Sequence, residues 1–397
     1  MSRKTLLKWT LLSLICSLFW TKNISAVELK QNQSFQEDQE LEEKEALELA
    51  EEVLLEEIQM EEIQRTLDEL VGKGKISLKE EIKKIMQGED PISKAAVQEF
   101  LQSFFLSFWK REKENFIRII TLLFLAAVLS NFTIFFEKDQ IGDIGFYILY
   151  LVLFTMSMNF YSELSESLLG KLKGLTEFMK VLAPSYFLAV AAANGTATAA
   201  VFYQGILFLI WGIEWLMVSM LLPMADFYVL LQMLNALSKE EMLSRMSELL
   251  KEGIEWALKT MVGVVAGLQM IKNLVAPVLD ELKKNVIGRA ASAIPGIGNT
   301  VNVATELILT SALLVKNSLG VAMLMILVLT GAGPVLYYAG LSLSYRFIAA
   351  VFQPISDKRV IGCIVTMGEG IGLLLRILLT AEILCMLTFL IIMAGGR

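Results

Sequence analysis

Residues 371–394 read IGLLLRILLTAEILCMLTFLIIMA, and this stretch decides the fold class. Wound as a helix it is about 36 Å long, enough to cross the roughly 30 Å of a bilayer's hydrocarbon core. Arg376 and Glu382 are its only charges. A segment in lipid must satisfy its own backbone hydrogen bonds, which a helix does without a partner. Apolar runs of comparable length recur near 116–136, 142–162, 179–199, 201–222, 256–275 and 317–338. With 371–394 they predict about seven spans, and 339–353 reads as an eighth crossing or an interfacial helix. The expected fold is all-α: a polytopic helical membrane protein with an N-terminal soluble amphipathic helical region.

Composition agrees. The 397 residues are 55% hydrophobic and 19% charged, with a mean hydropathy of +0.57. One soluble core of this size could not hide so much apolar surface. Histidine is absent, which removes Ser-His-Asp and Cys-His nucleophiles, His-ligated zinc and HExxH chemistry. Cys16, Cys363 and Cys385 form no CxxC pair, so packing of thiols in apolar surroundings is expected. Neither GxxxxGK[ST] nor a strand followed by GxGxxG is present, and no basic stripe marks the soluble part. No catalytic, cofactor or metal site and no nucleic-acid partner is predicted.

The N-terminus reads as an export signal over 1–26. Arg3, Lys4 and Lys8 precede the apolar Leu11–Trp20, and Ser25-Ala26 offers a cleavage site. Ile15 ahead of Cys16 argues against a lipoprotein anchor. Residues 27–109 form the second region, acidic and helical. Residues 28–90 alone hold 20 Asp+Glu and 8 Lys+Arg, a net −12, and the rest of the chain is +5. Leu47, Ala50, Leu54 and Ile58, then Ile63, Leu67 and Leu70, place one apolar stripe on an acidic helix. Ser77 with Glu80 reads as a capping box, and Asp90-Pro91 as a helix start. Phe104, Phe105, Phe108 and Trp109 suit a membrane interface. The signal places 27–115 outside the cytoplasm. Lys110, Arg111, Lys113 and Arg118 pull the other way by the positive-inside tendency, and the signal is given the greater weight. Residues 110–397 form the transmembrane domain.

Charges inside spans are the candidate functional groups, because they are costly in hydrocarbon and face the bundle interior, a partner or water. Glu214 lies midway along 201–222, and Arg376 and Glu382 lie within 371–394. They form an ion or proton route or a polar lining, or else they pair with one another or with backbone inside the bundle; pairing is the favoured reading. Asn194-Gly195 interrupts an alanine-rich helix, and Gly331-Ala-Gly-Pro334 is a second break. Such breaks line cavities in transporters; close packing of small residues or a simple turn is the favoured account here. Gly263-Val-Val-Ala-Gly267 and Gly368-Glu-Gly-Ile-Gly372 let helix backbones approach, within this chain or against a second subunit. Two stretches fit no simple span. Residues 223–255 hold Pro223, Asp226 and a charged amphipathic run from Lys239, and 276–306 hold Pro277 and the stretch Ile294-Pro-Gly-Ile-Gly298.

AVAAANGTATAAVFY (189–203), AASAIPGIGNTVNVATELIL (290–309) and YRFIAAVFQPISDKRV (345–360), with the signal and acidic region ahead of them, resemble the stage III sporulation protein AE family of endospore-forming bacteria. The similarity is read over essentially the whole chain, carried most by 294–298 and by Arg346–Pro354. The resemblance implies a protein made in the mother cell and placed in the membrane around the engulfed forespore. It also implies membership of a channel-like complex with other stage III proteins and a forespore-membrane partner, sustaining forespore development. The family supplies no catalytic or ligand residues. A non-enzymatic membrane subunit of such a complex is therefore the leading expectation. A self-contained secondary transporter, motivated by Glu214, Arg376, Glu382 and the Asn194-Gly195 break, is the alternative. An intramembrane enzyme ranks last, for want of a carboxylate pair or Ser-Lys set.

Overall fold

The apolar runs wind into helices longer than the spans read from them. The structure, a computed structural model, describes Glu61 and residues 63–65, 94–133, 139–194, 196–237, 243–291 and 298–394. The signal segment, most of the acidic region with its capping boxes, and the stretch 292–297 lie outside the described residues. From Lys94 onward these form α1 (Lys94–Thr133), α2 (Asp139–Asn194), α3 (Thr196–Leu216), a π-helical turn (Met217–Leu221) and α4 (Leu222–Leu237). Then come α5 (Ser244–Ala291), α6 (Gly298–Phe352) and α7 (Lys358–Ala394). No strand occurs among the described residues. Tyr203–Leu237, Gly320–Phe352 and Lys358–Leu390 are the described stretches long and apolar enough to cross a membrane. This is a polytopic helical membrane protein.

Several expected boundaries are absent, for local reasons. The span 142–162 and most of 179–199 share the single 56-residue helix α2. Between them no proline intervenes, and Leu164, Leu168, Leu172 and Leu175 stay buried on one face, which holds the helix together through its charged middle. α6 likewise runs unbroken through Gly331–Pro334 into 339–352. The turn considered there does not form, and 339–353 is the continuation of one helix up to Phe352. Pro223 is absorbed differently. Proline lacks the N–H that an α-helix needs, and just before it the Leu222 N–H bonds the Met217 carbonyl five residues back. That π-helical turn joins α3 to α4 without a loop.

α7 is the axis of the bundle, packing against α2, α3, α4, α5 and α6. Its glycines allow this. A Cβ at Gly368 would come within 3.0 Å of Arg346 Cγ and 3.4 Å of the Ser342 carbonyl, so α6 and α7 touch almost backbone to backbone. There the Ser342 hydroxyl donates to the Gly368 carbonyl at 2.7 Å. A Cβ at Gly370 would collide with Val229 of α4 and the Tyr161 ring of α2, and one at Gly372 would meet Ser342 Oγ. The glycine spacing at 368–372 thus serves contacts within the chain. Gly263 and Gly267 of α5 face open space instead.

The quoted stretch 345–360 is the connection that fixes this pairing. α6 ends at Phe352, whose carbonyl accepts the N–H groups of Ile355 and Ser356. Asp357 then caps α7, its Oδ1 accepting the Arg359 N–H at 2.8 Å. Buried side chains from all these helices form one cluster, which includes Ile63 of the acidic region's apolar stripe. Facing outward are Ile117, Phe124, Ile148, Leu151, Trp211 and Phe347, an apolar surface that hydrocarbon rather than water would cover.

Gly370→Ala is expected to destabilise the detergent-solubilised protein by about 1–3 kcal/mol through overpacking, read as a lower thermal midpoint. Val229→Ala in the same chain should recover part of the loss. Gly263→Ala, with no neighbour to meet, should leave the midpoint unchanged or slightly raised.

Candidate functional site

Three ion pairs join one helix to another among the described residues, and two of them form a polar layer where α4, α5 and α7 meet. Glu369 is central. It sits between Gly368 and Gly370, where the missing side chains let neighbouring helices close in. Its Oε2 accepts the Tyr228 hydroxyl of α4 at 2.6 Å and the Lys251 ammonium of α5 at 2.8 Å. The Lys251 ammonium also lies 5.9 Å from the Tyr228 ring centroid. Arg346 of α6 runs along Gly368 and Gly372 and acts electrostatically on Glu369.

About two turns further along α7, Arg376 pairs with Glu255 of α5, whose other oxygen is 3.9 Å from Lys259. Lys251 and Glu255 are one turn apart on α5, and Glu369 and Arg376 are two turns apart on α7. The two ion pairs therefore bolt the same helices together at successive levels. At the far face of α4, Ser165 of α2 donates to Asp226 at 2.7 Å. These ion-paired side chains are partly open to solvent, so deleting one partner leaves the other only in part desolvated, at a moderate cost.

The residues singled out by sequence separate in space. Glu214 of α3 pairs with Lys180 of α2 at 2.6 Å, and Arg376 with Glu255. Pairing with one another is not what forms. Arg376 and Glu382 stand six residues apart on α7, about 240° around the helix, so they look toward different neighbours. Glu382 is buried against α6, and its carboxylate occupies the space a Cβ at Gly331 would need. The described residues offer it no hydrogen bond or ion pair. The Gly331–Pro334 stretch thus serves close packing against α7. α2 ends at Asn194 and α3 begins at Thr196; Gly195 and the Asn194 side chain lie outside the described residues. Cys363 and Cys385 are free and buried, as apolar packing requires. No group of His, Cys, Asp and Glu suited to a metal ion occurs among the described residues.

Glu369, Lys251, Glu255 and Tyr228 were not singled out from sequence. A carboxylate flanked by two glycines inside an apolar run was the available signal for Glu369. The i, i+4 spacing of Lys251 and Glu255 on an amphipathic stretch was the signal for the other side.

With the bundle described, the comparisons place it. The family profile described as "Stage III sporulation protein AE (spore_III_AE)" matches residues 76–396. The chain belongs to the stage III sporulation protein AE family. A curated relative named "Stage III sporulation protein AE", from Bacillus subtilis (strain 168), is 22% identical over 283 residues, covering 70% of this chain and 70% of the relative. No solved structure matches the chain. The family match takes in the end of the acidic region and the whole bundle from Lys94 onward, in keeping with the resemblance read from the sequence. Every helix that contributes to the polar layer lies inside the matched residues.

Lys251→Met is expected to cost about 1–2 kcal/mol of stability, because Glu369 keeps only the tyrosine donor and both groups are partly open to solvent. Adding Glu369→Gln should recover most of that loss. A double-mutant cycle on thermal unfolding in detergent checks the coupling, and simple additivity would show that the two side chains do not interact.

Proposed function

We propose that this protein is a non-enzymatic integral membrane subunit of a channel-like complex joining the mother cell to the forespore, placed in the mother-cell membrane that surrounds the forespore. The supporting observation is membership of the stage III sporulation protein AE family over the whole helical bundle. The bundle's chemistry favours a scaffold. Its ion pairs are used to hold helices to one another, and a broad apolar exterior remains for lipid and for neighbouring subunits. The acidic N-terminal region, with Ile63 buried in the common cluster, supplies an amphipathic surface on the same molecule. Its partners on this reading are other membrane proteins of the stage III complex and a protein of the forespore membrane.

The seat of Glu382 gives the transporter reading one specific observation. A buried carboxylate without a partner among the described residues is the kind of group that carries a proton or cation through a membrane protein. Two measurements separate the readings. Crosslinking and affinity purification of the full chain from sporulating cells should bring down other stage III sporulation proteins in reproducible proportion. Liposomes holding this chain alone should show no solute or ion flux above empty vesicles. Recovery of the chain by itself, with flux that Glu382→Gln abolishes, would overturn the subunit reading.

A further inference from the structure

A second polar site lies between α1, α2 and α6, built from residues that the charged layer does not use. It is a cavity of about 310 Å³, at the small end of the range that ligand sites occupy. The α1–α2 hairpin makes it by bringing 111–118 alongside 160–167, and Tyr337 of α6 closes one side. Phe160, Leu164 and the Tyr337 ring form an apolar floor. That floor is held in place: Tyr338 donates to the Leu164 carbonyl at 2.8 Å.

The walls carry both signs of charge, and the groups differ in how fully they are engaged. Glu112 is buried and accepts the Tyr337 hydroxyl at 2.6 Å. Arg111 lies 3.5 Å from Glu112 and stacks 4.7 Å from the Tyr337 ring centroid. Burial, then the nearby Arg111, lowers the pKa of Lys171 one step further along α2. These groups are committed to one another. Arg118 is not. Its sole ion pair among the described residues is with Glu114 at 4.0 Å, between two largely exposed side chains, a contact of little strength. Glu163, on the opposite wall, pairs with no described residue. The Asn115 amide nitrogen is shut off from solvent and lies against the buried Tyr345 hydroxyl, which engages it. One wall thus offers a guanidinium held only by that weak pair. The other offers a free carboxylate.

Position narrows the ligand. α1 becomes apolar at Phe116 and turns Ile117, Ile120 and Phe124 outward. α2, running antiparallel, turns Ile148, Leu151 and Val152 outward and becomes charged at Glu163. Both helices change from apolar to polar surface at the cavity, and exposed Trp109 stands one turn before it. Tryptophan and such a transition mark the headgroup level of a bilayer.

We propose that this cavity holds the headgroup of an aminophospholipid. The phosphate sits on Arg118, the primary ammonium sits on Glu163, and the acyl chains follow the exposed Ile117–Phe124 face of α1. Arginine suits phosphate by its paired N–H donors. A primary ammonium can donate to Glu163 where a quaternary one cannot.

Native mass spectrometry of the full chain, delipidated and then offered equal amounts of phosphatidylethanolamine, phosphatidylcholine and phosphatidylglycerol, tests this. Phosphatidylethanolamine should be retained several-fold over the other two. Arg118→Gln should lower its retention about tenfold, the scale of one charge-assisted contact, and Glu163→Gln should remove the preference over phosphatidylglycerol. Equal retention of the three lipids by the unaltered protein, or a preference for phosphatidylglycerol, would overturn the proposal whatever the variants do. Displacement by soluble O-phosphoethanolamine at equal concentration would overturn the lipid as the source and assign the cavity to a free zwitterion.

Discussion

Everything in the bundle depends on how closely α6 can lie on α7. Without side chains at 368 and 372, the helices approach until the Ser342 hydroxyl reaches the Gly368 carbonyl. In a membrane, water is not expelled when helices meet, so association rests on contact and hydrogen bonding, and small residues decide where contact is possible. Once α6 is seated, α7 is surrounded by five helices, and its remaining side chains must find partners there.

That requirement orders the charges. Glu369 is reachable by Lys251 and Tyr228 because its glycine neighbours clear the approach. Arg376 takes Glu255 from the same face of α5. Glu214 takes Lys180 across the α2–α3 junction. Each of these three pairs joins two helices, so neutralising a charge and fixing a helix are one event. Glu382 differs in kind, since it is enclosed by shape, against Gly331, rather than by a counter-charge. The paired charges hold helices together, and Glu382 has no counter-charge among the described residues.

The fold class was legible because the 371–394 stretch admits no other solvent and no other secondary structure. Helix ends were less legible. Hydropathy records which residues suit lipid, not where a helix stops, so 142–162 and 179–199 read as two objects although one helix carries the first and most of the second. Proline misled for a related reason: at 334 the helix simply tolerates it, and at 223 the preceding π-helical turn accommodates it. Among the site residues, Glu214, Arg376 and Glu382 stood out by being charged in apolar surroundings, yet their partners lie 34 and 121 residues away in the chain for the first two. Periodicity carries no information on contacts so distant. Gly368–Gly372 was legible as a place of close approach, but one sequence could not say that the approaching backbone belonged to the same chain.

The seating of α6 on α7 can be measured directly. In a chain with Cys16, Cys363 and Cys385 replaced, Ser342→Cys and Gly372→Cys place two thiols where a Cβ at 372 lies 3.3 Å from the atom at Ser342 Oγ, close enough for a disulfide. Mild oxidation in the membrane should yield an intramolecular bridge, seen as a two-proton mass loss and resistance of both thiols to alkylation. Two thiols that stay fully alkylatable, or that bridge only between molecules, would contradict the helix pairing on which this account rests.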